Sequence, residues 1–95
     1  MFIVLLKFSD NKEQAGQHMD GHNEWLKRGF DDGVFILAGS LQPSLGGGVV
    51  AHNTTQEDLM SRVNEDPFVR EKVVTAEILE IAPAKADERL QFLCP

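Results

Sequence analysis

The chain has few of the residues on which several common protein chemistries depend, and each shortage excludes a class of protein. Cys94 is the only cysteine among 95 residues, so an intrachain disulfide and a metal site built from several cysteines are both excluded. Nine Lys and Arg residues stand against fifteen Asp and Glu residues, for a formal net charge of −6. Because nucleic acid binding depends on clustered cations that release counterions, we expect no nucleic acid partner.

Long apolar stretches are also missing. The longest run, Phe2 to Leu6, is far shorter than the roughly 20 residues of a membrane span. The start of the sequence has no basic segment followed by a cleavage site, so we expect a cytoplasmic protein that does not bind a membrane. With 42% hydrophobic and 25% charged residues, the composition is that of an ordinary globular domain.

Short apolar and β-branched runs, bounded by turn residues, predict four strands. These strands are expected at residues 2–8, 34–41, 49–52 and 73–81. The segment from Gln42 to Gly48, which contains Pro43 and three glycines, is predicted to be a loop that connects the second strand to the third in a hairpin.

The first helix is predicted from Asp10 to about Asp32, because Asp10 and Glu13 have the spacing of a capping box and Gly33 is a typical stop. Apolar residues at three- and four-residue steps predict its buried stripe. The residues of this stripe are Ala15, Met19, His22, Leu26 and Phe30.

A second capping box, Thr54 with Glu57, predicts a helix that ends near Asn64. Its apolar side is formed by Leu59, Met60 and Val63. Asp66 and Pro67 then predict a short helical turn, since Asp caps a helix and Pro is tolerated at its first position.

The resulting order, βαββαβ, is that of an α+β fold with a ferredoxin-like antiparallel sheet and helices on one face. Alternation along the first strand places Phe2, Val4 and Leu6 on one face and Ile3 and Leu5 on the other, so both faces are apolar. Two helices cover only one of them. We therefore expect a second copy of the chain to cover the other, as a homodimer or a higher oligomer.

His22 is the strongest candidate for chemistry, because histidine exchanges protons near neutral pH and this one lies on the buried stripe. Taken alone, it is also explained as a core histidine with a satisfied partner, and Asp66 as a helix cap. His18 and His22 lie one helical turn apart, but a third metal ligand is missing locally, so no metal is expected.

Two further features have plain structural explanations. Gly46, Gly47 and Gly48 are followed by a strand and lack the Lys-Ser or Lys-Thr of a phosphate-binding loop. Ser40, at the end of the second strand, is either a hydrogen-bonding partner for a ligand or a turn serine that bonds the nearby backbone.

Taken in order, the motifs resemble those of the YCII-related family over residues 1 to about 83. The matching segments are His22 to Leu26, Gly33 to Ser40, Gly46 to Val50, Glu65 to Phe68 and Glu80 to Pro83. The resemblance implies a dimeric α+β barrel in which two sheets pack face to face. It also implies that His22 and Asp66 meet as a dyad in a cleft lined by Ser40 and Phe68.

The function implied by this resemblance is cofactor-independent acid/base chemistry, isomerisation or elimination, on a small metabolite. A carboxylate that binds one imidazole nitrogen fixes the tautomer and leaves the other nitrogen for the substrate. The alternative is a non-catalytic dimeric module that binds a small ligand or serves as an accessory subunit. Residues 84–95 are expected to form a C-terminal tail that docks on the dimer partner.

Overall fold

The elements of the computed structural model, which describes all 95 residues, follow the predicted apolar runs closely. The strands and helices are β1 (Phe2–Phe8), α1 (Ala15–Asp31), β2 (Phe35–Leu41), β3 (Gly46–Ala51), α2 (Gln56–Val63), α3 (Pro67–Arg70) and β4 (Val74–Glu80). Short 3₁₀ turns lie at Lys12–Gln14, before α1, and at Glu88–Leu93, after β4. None of the helices combines the length and the hydrophobicity needed to cross a bilayer.

The four strands form one antiparallel sheet in the order β2-β3-β1-β4. The two strands of the hairpin, β2 and β3, pair directly, whereas β1 lies between β3 and β4. This is the ferredoxin-like arrangement, so the predicted α+β class and the order βαββαβ are confirmed.

The two faces of the sheet differ in what covers them. Phe2, Val4 and Leu6 of β1 are buried under the helices, whereas Ile3 and Leu5 on the opposite face are half-buried. We call that opposite surface the open face. Its apolar side chains, assigned through the strand register, are Ile3, Leu5, Leu37, Leu41, Val50 and Leu79.

The buried stripe of α1 matches the prediction only in part, since Ala15 and Leu26 pack against the core. Trp25 and Gly29 are the buried residues of this helix, while Met19 and Phe30 are 41% and 44% exposed. A Cβ atom on Gly29 would collide with the ring of Phe35. The helix therefore packs on the sheet through a tryptophan and a glycine, and a glycine carries no hydrophobic signal in the sequence.

Both capping boxes were also misplaced. No side chain caps the 3₁₀ turn or α1 at its N-terminus, so the Asp10 box was wrong. In α2 the cap is Thr55, whose hydroxyl accepts a hydrogen bond of 3.1 Å from the Asp58 backbone N–H. Thr55 has the extended backbone typical of an N-cap, which moves the box one residue beyond Thr54.

The three glycines belong to β3, not to the loop. Gly46, Gly47 and Gly48 pair with β1 across the sheet, because ladder hydrogen bonds need only the backbone. Gly46 has φ +131°, and a Cβ atom there would collide with the carbonyl oxygen of Leu6. Glycine is therefore required at the first position of this strand.

Candidate active site

Two helices meet where the chain brings His22 and Asp66 together. Asp66 is the N-cap of α3, and its Oδ1 accepts a 3.0 Å hydrogen bond from the Phe68 backbone N–H. His22 lies near the middle of α1, and its Nδ1 is 3.0 Å from each carboxylate oxygen of Asp66. Both roles that the sequence allowed for Asp66, helix cap and histidine partner, are thus present in the same side chain.

The geometry fixes the tautomer of the ring. The Asp66 side chain is fully buried, and that of His22 is 14% exposed. Because an ionised carboxylate only accepts hydrogen bonds, the proton of neutral His22 is on Nδ1. Nε2 is then an acceptor, and it is left accessible and without a partner in the chain.

Aromatic packing holds the imidazole in place. Its ring lies parallel to that of Phe68, with centroids 4.1 Å apart and 5° between the planes. Trp25 packs on it as well, at 5.8 Å and 28°. The indole Nε1 of Trp25 donates a 2.8 Å hydrogen bond to the Arg62 carbonyl, which anchors this contact to the end of α2. The imidazole is therefore held by its neighbours as well as by the carboxylate.

A cavity of about 330 Å³ lies beside His22, between α1 and the sheet. Its walls are mainly apolar, with a few polar groups. The residues that line it are Leu6, Phe8, Met19, His22, Asn23, Leu26, Ala38, Gly39, Ser40, Gly46, Gly47, Gly48, Val49, Phe68 and Val74. Its size is at the lower end of the range of small-molecule sites, roughly 300–1,000 Å³.

Three of the four residues proposed from the sequence, His22, Ser40 and Phe68, line this one cavity. Asp66 lies behind His22 and does not form part of the wall. Trp25 and Asn23 were not anticipated. Trp25 lies three residues beyond His22 on the same helix, a spacing that brings side chains together and was the available signal. No comparable spacing pointed to Asn23.

The other histidines lie elsewhere. His52 lines a second cavity, of about 460 Å³, together with Phe92 of the C-terminal segment, and the two rings are 5.4 Å apart. His18 is half-buried on α1 and does not line either cavity. No group of three His, Cys, Asp or Glu side chains is arranged to hold a metal ion.

These features define a ferredoxin-like α+β domain in which a histidine at the wall of a small cavity is paired with a buried aspartate behind it. No protein-family model matches the chain, and no curated protein matches it. Among solved structures, it is similar to 5-chloro-2-hydroxyhydroquinone dehydrochlorinase (TftG) from Burkholderia phenoliruptrix AC1100, in complex with 2,5-dihydroxybenzoquinone. The TM-score is 0.68 at 11% identity, over 85% of this chain and 93% of the other. At that identity the likeness establishes the fold alone.

Proposed function

We propose that the chain is a cytoplasmic, cofactor-independent enzyme of the YCII-related family that carries out isomerisation or elimination on a small metabolite. The observation that supports this most directly is the contact of His22 Nδ1 with both oxygens of the buried Asp66, at 3.0 Å each. It leaves Nε2 unpaired beside a cavity of metabolite size.

In this mechanism His22 is the general base. Nε2 takes a proton from a carbon or oxygen atom of the substrate, and the buried carboxylate of Asp66 stabilises the imidazolium that forms. In isomerisation the same nitrogen then returns the proton to another atom of the substrate. In elimination the electron pair left by the proton expels a leaving group, and Nε2 passes its proton to that group or to water. A well-placed acid or base of this kind contributes about 10²- to 10⁴-fold in rate.

The remaining polar groups of the cavity suit a substrate-binding role. Ser40 brings a hydroxyl to the cavity wall from the end of β2, and Phe68 supplies a flat apolar surface parallel to the imidazole. The structural neighbour is named a dehydrochlorinase and was solved with a small ring compound bound. Elimination on a small molecule is therefore compatible with this fold.

We also propose that the enzyme is a homodimer in which the open faces of two sheets pack together. Leu37 and Leu79, on the open face, are 61% and 44% exposed. The charged residues of that face, Lys7 and Glu77, have opposite signs, so a two-fold arrangement is able to pair them across the contact. The tail, residues 84–95, exposes Leu90 and Phe92 and would add apolar area to the dimer.

The test begins with thermal-shift screening of a metabolite library, because a specific ligand raises the apparent stability of the folded chain. Each stabilising compound is then incubated with wild type, His22→Asn, Asp66→Asn and His18→Asn, and its conversion is followed by mass spectrometry and NMR. His18→Asn is the matched control, since it removes a histidine from the same helix outside the cavity.

We expect wild type and His18→Asn to convert the ligand at equal rates. His22→Asn should lose about 10²- to 10⁴-fold in rate, and Asp66→Asn should lose activity while still binding. If a ligand binds wild type in the cavity but is chemically unchanged after long incubation, the proposal that the chain is an enzyme is rejected. The protein would then be the alternative, a dimeric ligand-binding or accessory module.

A further inference from the structure

The cavity exists because the positions that form its floor carry small side chains. The strand register places Gly47 opposite both Leu6 of β1 and Ser40 of β2. Paired residues of neighbouring strands point to the same face, and Leu6 is buried under the helices. Gly47 and Ser40 therefore face α1. Larger side chains at these two positions would fill the space beneath His22.

The backbone does not require glycine at position 47. A Cβ atom there would approach no atom more closely than the Gly39 carbonyl oxygen, at 3.4 Å, and the residue has no positive φ. Gly46 is different, because it combines a positive φ with a collision against Leu6. Alanine thus fits at position 47, and its methyl group would project into the cavity. What Gly47 contributes is room for a ligand.

The electrostatic character of the cavity disfavours anions. None of its lining residues is Lys or Arg. With His22 neutral, the pair with Asp66 carries one negative charge, and with His22 protonated it carries no net charge. In neither state does a carboxylate or phosphate ligand find net positive charge to offset the loss of its hydration.

We infer that the cavity binds an uncharged, mainly apolar small molecule that lies over Gly47, and that the absent side chain of Gly47 sets the largest ligand that fits. The hydroxyl of Ser40 and the amide of Asn23, both at the cavity wall, supply hydrogen bonds for one polar group of that ligand. This inference deepens the proposed function by giving the class of its substrate.

The experiment compares benzamide with benzoate, which have the same number of heavy atoms and differ in charge. Each is titrated into the ¹⁵N-labelled full chain, and binding is followed through the amide resonances of Gly47, Ser40 and Phe68. The variants are Gly47→Ala and Gly47→Val, with Gly16→Ala as the matched control, because Gly16 has open space around it and does not line the cavity.

We expect saturable shifts with benzamide and affinity for benzoate at least about tenfold weaker. Gly47→Ala should weaken benzamide binding a few-fold, Gly47→Val should weaken it at least about tenfold, and Gly16→Ala should leave it unchanged. Equal binding of the two probes, no saturable shift with benzamide up to its solubility limit, or unchanged binding in Gly47→Ala would each overturn the inference. If Gly47→Val disturbs β3, the alanine variant decides.

Binding is measured here without turnover, so the two proposals fail separately. A chain that binds benzamide as expected but converts no metabolite retains this inference and loses the proposed enzyme. Turnover of a metabolite, combined with equal affinity for benzamide and benzoate, would leave the enzyme and remove the inference.

Discussion

The helix-covered face and the open face of the sheet are both apolar, but this chain covers only the first. Val4 and Leu6 are 0% and 2% exposed under the helices, whereas Leu37 on the open face is 61% exposed. This difference in exposure indicates that the two faces have different roles. The covered face supplies the fold's own core and part of the wall of the cavity beside His22. The open face leaves apolar side chains exposed in the single chain, and it is the surface on which the proposed dimer would form.

The largest loss of stability is expected on truncation of Trp25, which packs both in the core of the covered face and against the imidazole of His22. Trp25 is 1% exposed and contacts both His22 and Phe35. Trp25→Ala should lower the free energy of unfolding by about 3–5 kcal/mol, because truncation of a buried tryptophan leaves a large void. Urea unfolding measures this.

The control for Trp25→Ala is Leu37→Ala, on the open face, analysed at a concentration where the chain is monomeric. There it should change the unfolding free energy by less than about 0.5 kcal/mol, as most surface substitutions do. Equal losses in the two variants would mean that the two faces do not differ as described.

Two glycines of α1 allow the same comparison between packed and exposed positions within a single helix. Gly29 faces Phe35 across the covered face with no space for a Cβ atom, whereas Gly16 has no atom within 4 Å of that position. Gly29→Ala should destabilise the chain by about 1–3 kcal/mol through overpacking. Gly16→Ala should stabilise it by up to about 1 kcal/mol, because alanine is the better helix former.

Thermal and urea unfolding of the two glycine variants, each against wild type, give the sign of both effects. Two changes of the same sign would contradict the close approach of α1 to the sheet at Gly29. The prediction depends on opposite signs more than on either magnitude.

The strands and their order were predictable from the sequence, because short apolar runs bounded by turn residues leave few alternatives for a chain of this length. The short turn at Asp66 and Pro67 was predictable for the same local reason, since cap and proline are adjacent. The stripe of α1 was predictable only in part, since Ala15 and Leu26 do pack against the core. Hydrophobicity favoured Met19 and Phe30, and it assigns no weight to Gly29, which is buried against the ring of Phe35.

The site was less accessible to prediction than the fold. His22 and Asp66 are 44 residues apart, and no local periodicity relates positions at that separation. Only the resemblance to the YCII-related family suggested that they meet. The glycines of β3 were assigned to a loop because glycine has a low strand propensity. These glycines form part of the cavity floor and leave room above it because they have no side chains. That role can be recognised only when β3 is seen between β1 and β2.

Leu37→Glu should change the stability of the single chain least of all these variants, and it tests the open face most directly. The substitution places a charge in the proposed contact between two sheets and should weaken the dimer at least about tenfold, because a buried unpaired carboxylate is costly. The fold of the single chain should be unaffected. Light scattering over a concentration series, with circular dichroism of each sample, measures both.

Met60→Glu is the matched control for Leu37→Glu, because Met60 is also apolar and 43% exposed but lies on α2, away from the open face. It should dimerise like wild type. A monomeric wild type at high concentration would contradict the dimer, and equal weakening by both variants would place the contact elsewhere. A dimer lost only in Leu37→Glu would instead mean that the apolar face exposed in one chain is completed by the same face of another.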